Sequence, residues 1–133
     1  DAGQWAEAKP FLERATPLET WKTRHYYYLG QAYYECGDYA RAKEKLLLAL
    51  DRGLEERWES QAHFILGFIE HNLSDTRAAK REFELCASTA DERYIDMPKL
   101  WAWLEETSRT LGLLTEAENY RKLRMNLQRS KAN

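Results

Sequence analysis

Apolar residues recur along this chain at spacings of three and four, the period of helices that bury one face. The stretch Ala62–Ile69 is apolar almost all round, which marks its helix as the middle of a stack, covered on several sides. Near the end, Leu113, Ala117, Tyr120 and Leu127 form one apolar face, while Glu116, Asn119, Arg121, Lys122 and Asn126 keep the other side wet. Such a one-sided helix suits a terminal cap. Trp5, Ala8, Phe11 and Leu12 give the opening segment, Gln4 to Ala15, an apolar surface that a preceding helix should cover.

Turn and cap residues divide the periodic segments. Thr16-Pro17-Leu18-Glu19 reads as an N-cap, a proline at the first helical position and a capping-box glutamate. Gly37-Asp38 separates two segments, with Asp38 placed to cap the second, and Gly53 suits the left-handed position that closes it. Ser74 and Asp75 offer caps after Leu73. Thr115 to Glu118 offers a further capping box, although the repeat register would start that helix a residue or two earlier. Polar connections fall at 52–56 and 88–97.

The segments also repeat. From Leu29-Gly30 to Leu66-Gly67 the chain advances 37 residues, and Tyr33, Gly37-Asp38-Tyr39, Ala42, Leu46 and Ala49 recur as Glu70, Ser74-Asp75-Thr76, Ala79, Phe83 and Cys86. Gly3, Trp5, Ala8, Leu12 and Ala15 stand 34 residues before the first copy. Trp101, Leu104, Gly112, Leu114 and Ala117 follow the second in a degenerate third, where Glu105 and Ser108 replace the small residue and the aromatic. This pattern resembles the tetratricopeptide repeat, a helix–turn–helix unit of about 34 residues.

The resemblance implies an all-α, right-handed α-solenoid of antiparallel helix pairs with about seven helices. Residues 1–15 would be the second helix of a truncated repeat, 16–53 and 54–90 two full repeats, and 91–133 a degenerate repeat ending in a capping helix. Gly30 and Gly67, with Ala42 and Ala79 twelve positions later, would let paired helices approach closely. Glu70, in the place of Tyr33, would be either the partner of a nearby arginine or a weak point.

Composition narrows the function. Hydrophobic residues make up 44% and charged ones 32%, which fits a packed helical protein rather than a disordered one. A formal charge of −2 gives no general pull toward nucleic acid or anionic lipid. The longest apolar run, 64–69, is far short of the roughly 20 residues that span a bilayer. Cys36 and Cys86 have no CxxC spacing and read as buried or unreactive thiols, which leans toward a reducing, cytoplasmic setting. The chain lacks an initiator Met and opens inside a repeat. It is expected to be the C-terminal part of a longer protein, and adding the upstream residues should raise the melting temperature.

The strongest candidate for function is an aromatic stripe. Trp21, Arg24, Tyr27, Gln31 and Tyr34 share one helix face, and Trp58, Gln61, Phe64, Phe68 and His71 share the equivalent face of the next. Tyr26, Leu29 and Tyr33, then His63 and Leu66, already supply the core faces. In tetratricopeptide arrays the stripe positions line the concave groove, where they would bind a peptide or a partner's helix. The other reading is that neighbouring first helices pack on each other through these rings. In the third copy the stripe turns polar, with Asp96, Lys99, Ala102, Glu106 and Arg109. Lys99 and Arg109 would add ionic contacts to a ligand, or else pair with Glu106 along their own helix.

The family's carboxylate-clamp positions carry Tyr27, Gln31, Ile65 and Trp103, with only Lys99 basic, which speaks against a chaperone-tail clamp. His63 and His71 lie about 12 Å apart along one helix, too far to share a metal, and His25 has no ligand-spaced neighbour. No residue constellation points to catalysis, a cofactor or a metal. The basic end, Arg121, Lys122, Arg124, Arg129 and Lys131, complements the helix dipole better than it fits a nucleic acid. Two classes follow: a non-enzymatic interaction module for a protein or peptide partner, or a regulatory, sensory or oligomerisation repeat domain of a larger enzyme or transcription regulator. Homo-oligomerisation stays open.

Overall fold

The computed structural model describes residue 6 and residues 22–132. The capping signal at 16–19, Trp21 and the leading helix (apart from helical Ala6) lie outside the described residues. Among those described there are six helices and no strand: α1 (Lys22–Glu35), α2 (Tyr39–Arg52), α3 (Glu56–Asn72), α4 (Thr76–Thr89), α5 (Met97–Thr110) and α6 (Leu114–Ala132). They pack chiefly as the hairpins α1/α2, α3/α4 and α5/α6, with lighter contacts between successive hairpins.

All three hairpin turns are built alike. Gly37, Ser74 and Gly112 take positive φ values of 82°, 63° and 78°. The next amide in each turn donates back to the last helical turn: Asp38 to the Tyr33 carbonyl, Asp75 to Glu70 and Leu113 to Ser108, at 2.8–2.9 Å. This left-handed closure satisfies carbonyls that the helix end would leave bare. Asp38 and Asp75 then cap the following helices by accepting from the Arg41 and Ala78 amides at 3.3 and 3.0 Å. Gly53, at φ 91°, closes α2. Of the two starts open for the last helix, the structure takes the earlier one: α6 begins at Leu114, the Leu113 carbonyl accepting from Ala117, so Thr115 lies inside the helix, as the repeat register places it.

Close approach inside the hairpins depends on the two glycines. A Cβ on Gly30 would lie 2.7 Å from Leu46 Cγ, and one on Gly67 would lie 2.6–2.7 Å from Phe83 Cδ1 and Cζ. Ala42 and Ala79 are fully buried opposite them. The third hairpin solves the same contact differently. Glu105, in the glycine place, is buried and takes Arg109 at 2.9 Å and Arg124 of α6 at 2.8 Å. Burial disfavours its charge, but hydrogen bonds from Arg124 and Arg109 outweigh that cost and hold the carboxyl below its ordinary range.

Two apolar clusters result. One gathers Tyr27, Leu29, Tyr33, Leu46, Leu66 and Ile69 from α1, α2 and α3. The other gathers Phe83, Cys86, Leu100 and Leu104 from α4 and α5, with Phe64 and Phe68 of α3 against it. Helix α3 thus serves both. Glu70 is buried, and its partner is Lys43 at 2.6 Å rather than an arginine.

The last helix is less one-sided than its pattern. Ala117 is buried, and Tyr120 stacks on Trp101 at 5.8 Å. Glu116, expected in water, reaches Lys80 at 2.8 Å, whereas Leu113, Leu114 and Leu123 are exposed. Arg121 and Arg124 are committed to Glu118 and Glu105, so the basic end is partly neutralised.

The two thiols also differ, and of the expected burial only one shows it. Cys36 is exposed, while Cys86 is buried. Burial pushes the Cys86 thiol up to about 11, against a hydrogen bond with Ser60 that favours the thiolate. At pH 8 a disulfide reagent should therefore titrate one thiol per native chain and both in guanidinium. Two fast native reactions would contradict this packing.

Candidate peptide-binding face

The stripe residues fall into three groups. Tyr27 is 2% exposed, and its hydroxyl donates to Gln61 Oε1 at 3.0 Å. Its ring meets Trp58 edge-on at 5.2 Å, and burial, with a smaller push from Tyr28, raises its pKa well above the usual phenol range. Arg24 lies over the Trp58 ring at 5.7 Å and pairs with Glu55 at 3.0 Å. At this end the first helices of two successive hairpins, α1 and α3, pack on each other through stripe residues. Tyr27 is a core residue. Its neighbour Tyr26, expected in the core, is only half-buried, with Arg52 and Lys45 over its ring at 5.2 and 5.9 Å. His63 is likewise half-buried and meets Glu82 at 2.7 Å.

The second group stays partly open. Gln31, Tyr34, Phe64 and Phe68 are half-buried, and His71 is exposed. Tyr34 tilts against Tyr39 at 5.9 Å. Phe64 and Phe68 lie 4.9 Å apart, and both meet the buried Phe83 edge-on. Trp103 of α5 fills the space beside them, 5.4 Å from Phe68 and 4.6 Å from the His71 ring. Its weight here was not apparent in the sequence, where it stood only at a clamp position.

The third group is the polar end on α5. Asp96 is the N-cap of that helix, accepting from the Lys99 amide at 3.1 Å, so it does not continue the stripe. Arg109 pairs with Glu105 at 2.9 Å and Glu106 at 3.6 Å, as the pairing reading expected. Lys99 does not join that pairing. Its ammonium lies 5.0 Å from the Phe68 ring centre and makes no ion pair among the described residues.

A stack at the start of α3 escaped sequence reading. Arg57 lies over both Trp58 and Tyr94, at 4.5 and 4.3 Å, and Arg93 approaches Tyr94 at 5.5 Å. The only sequence signal was the Arg57-Trp58 pair, because Tyr94 arrives from a connection that read as plain polar loop.

Nothing among the described residues groups three His, Cys, Asp or Glu side chains suitably for a metal. No described helix is long and apolar enough to cross a membrane.

Among solved structures, the chain is similar to the crystal structure of MamA, a protein containing tetratricopeptide repeats, with a TM-score of 0.82 at 21% identity, over 98% of this chain and 72% of that one. The fold is tetratricopeptide-like. At this identity the likeness speaks for the fold alone. No protein-family model matches the chain, and no curated protein does.

Proposed function

We propose that the chain is a non-enzymatic protein-interaction module that holds a peptide or a helix of a partner along the face bearing Gln31, Tyr34, Phe64, Phe68, His71 and Lys99. The observation that carries this reading is the pair Phe64 and Phe68. Both rings rest on the second core and are firmly placed, yet each keeps part of its surface accessible. Rigid, partly open aromatic rings are what an apolar anchor of a ligand docks on. Lys99, beside Phe68 and without an ion pair among the described residues, supplies a cation for an acidic residue of the same ligand. Trp58, Gln61 and Arg24 frame the far end, and Arg109, already committed to glutamates, contributes less.

The test starts from peptides selected by display on the 133-residue chain. Phe68→Ala should weaken the selected peptides by about 2 kcal/mol, roughly 30-fold. Its cost to folding should stay below the roughly 3–5 kcal/mol of a fully buried phenylalanine. Peptides that bind the variant and the parent equally would show that this face is not the binding site.

A further inference from the structure

The stack around Arg57 joins three separate parts of the chain: Arg24 from α1, Arg57 and Trp58 from α3, and Arg93 and Tyr94 from the connection before α5. Cations and rings alternate along it. The two outer arginines are satisfied, Arg24 by Glu55 at 3.0 Å and Arg93 by Asp91 at 2.7 Å. The middle one is exposed, lies over two rings and has no ion pair among the described residues. Contacts with both rings restrict its rotamers, so little further order is lost when its planar fork meets an anion. Beside it is a depression of about 610 Å³ lined by Ala90 and Tyr94 together with the charged side chains of Glu56, Asp91, Glu92 and Arg93.

From this we infer that Arg57 is an anchor for one carboxylate of a partner peptide, with a neighbouring apolar side chain seated against Ala90 and Tyr94. A carboxylate matches the fork in two parallel hydrogen bonds. Arg93 in the same lining is neutralised by Asp91, and Glu56 and Glu92 add negative charge, so partners that bring several negative charges, such as phosphorylated segments or nucleic acid, are disfavoured. The site does not depend on the Phe64–Phe68 strip.

The experiment follows the arginine Nε–H signals of the ¹⁵N-labelled chain while N-acetyl-Leu-Glu-amide is added, with N-acetyl-Leu-Gln-amide and inorganic phosphate as comparison probes. The Arg57 signal should shift saturably with the Glu probe and respond at least fivefold more weakly to the Gln probe. Arg57→Gln should abolish the response, and Tyr94→Ala, which keeps the charge but removes one ring, should weaken it about threefold or more. The variants' amide spectra confirm folding, and Phe68→Ala should leave this response intact. Equal shifts of Arg24, Arg57 and Arg93, equal response to the Glu and Gln probes, or stronger binding of phosphate would each overturn the proposal. A response at Arg57 that disappears in Phe68→Ala would overturn its independence from the strip.

Discussion

Phe83→Ala should lower the stability of the chain by about 4 kcal/mol, the loss expected for a fully buried phenylalanine that leaves a cavity. The ring is wholly buried and touches Phe64, Phe68 and Trp103. It also presses on the bare backbone of Gly67. Gly67→Ala on its own should cost up to about 2 kcal/mol: overpacking against the ring costs roughly 1–3, and the better helix propensity of alanine returns about 1. The two changes should not add. Once Phe83 is truncated, the new methyl has room, and Gly67→Ala should become stabilising by about 1 kcal/mol in that background. Chemical unfolding followed by circular dichroism measures all four corners of this cycle. Simple additivity would mean that the glycine is not there for the phenylalanine.

Glu105→Gln should cost about 2 kcal/mol at pH 7. Breaking a fully buried ion pair costs roughly 3–5 kcal/mol, but Arg109 and Arg124 are 53% and 27% exposed and keep some hydration once left alone. The effect should depend on pH in one direction. The folded-state pKa of Glu105 lies below its ordinary value near 4.5, so the carboxylate's contribution is complete above that value. It is lost as pH falls through the folded pKa. Parent and variant should therefore differ at neutral pH and converge in acid. A gap of constant size across that range would assign the loss to packing rather than charge.

Much of the architecture is written in local chemistry. The turns at 37, 74 and 112 need a residue tolerant of positive φ followed by a polar cap or helix start, and Gly37-Asp38 and Ser74-Asp75 announce this. Gly30 and Gly67 are legible for a steric reason, since two helices that touch backbone to side chain leave no room for a Cβ. The third hairpin is obscure because Glu105 keeps the fold with an ion pair that reaches 19 residues ahead, a partner no local pattern names.

The candidate face was only half legible. In Tyr26-Tyr27-Tyr28 three similar rings point in successive directions, and which one enters the core is decided by how closely α3 approaches α1. Asp96 falls at a stripe offset but acts as a cap, because the helix begins just after it. Tyr94 joins Arg57 only through the path of a loop.

Helix α3 lends Ala62, Leu66 and Ile69 to one core and Phe64 and Phe68 to the other. The tight turn at Leu73-Ser74-Asp75 closes one hairpin, yet it is no place to divide the protein. A fragment ending there would carry two uncovered phenylalanines, and its complement would lack the rings that roof Phe83. The array is indivisible at its centre, and hydrogen exchange should find α3 the last helix to open.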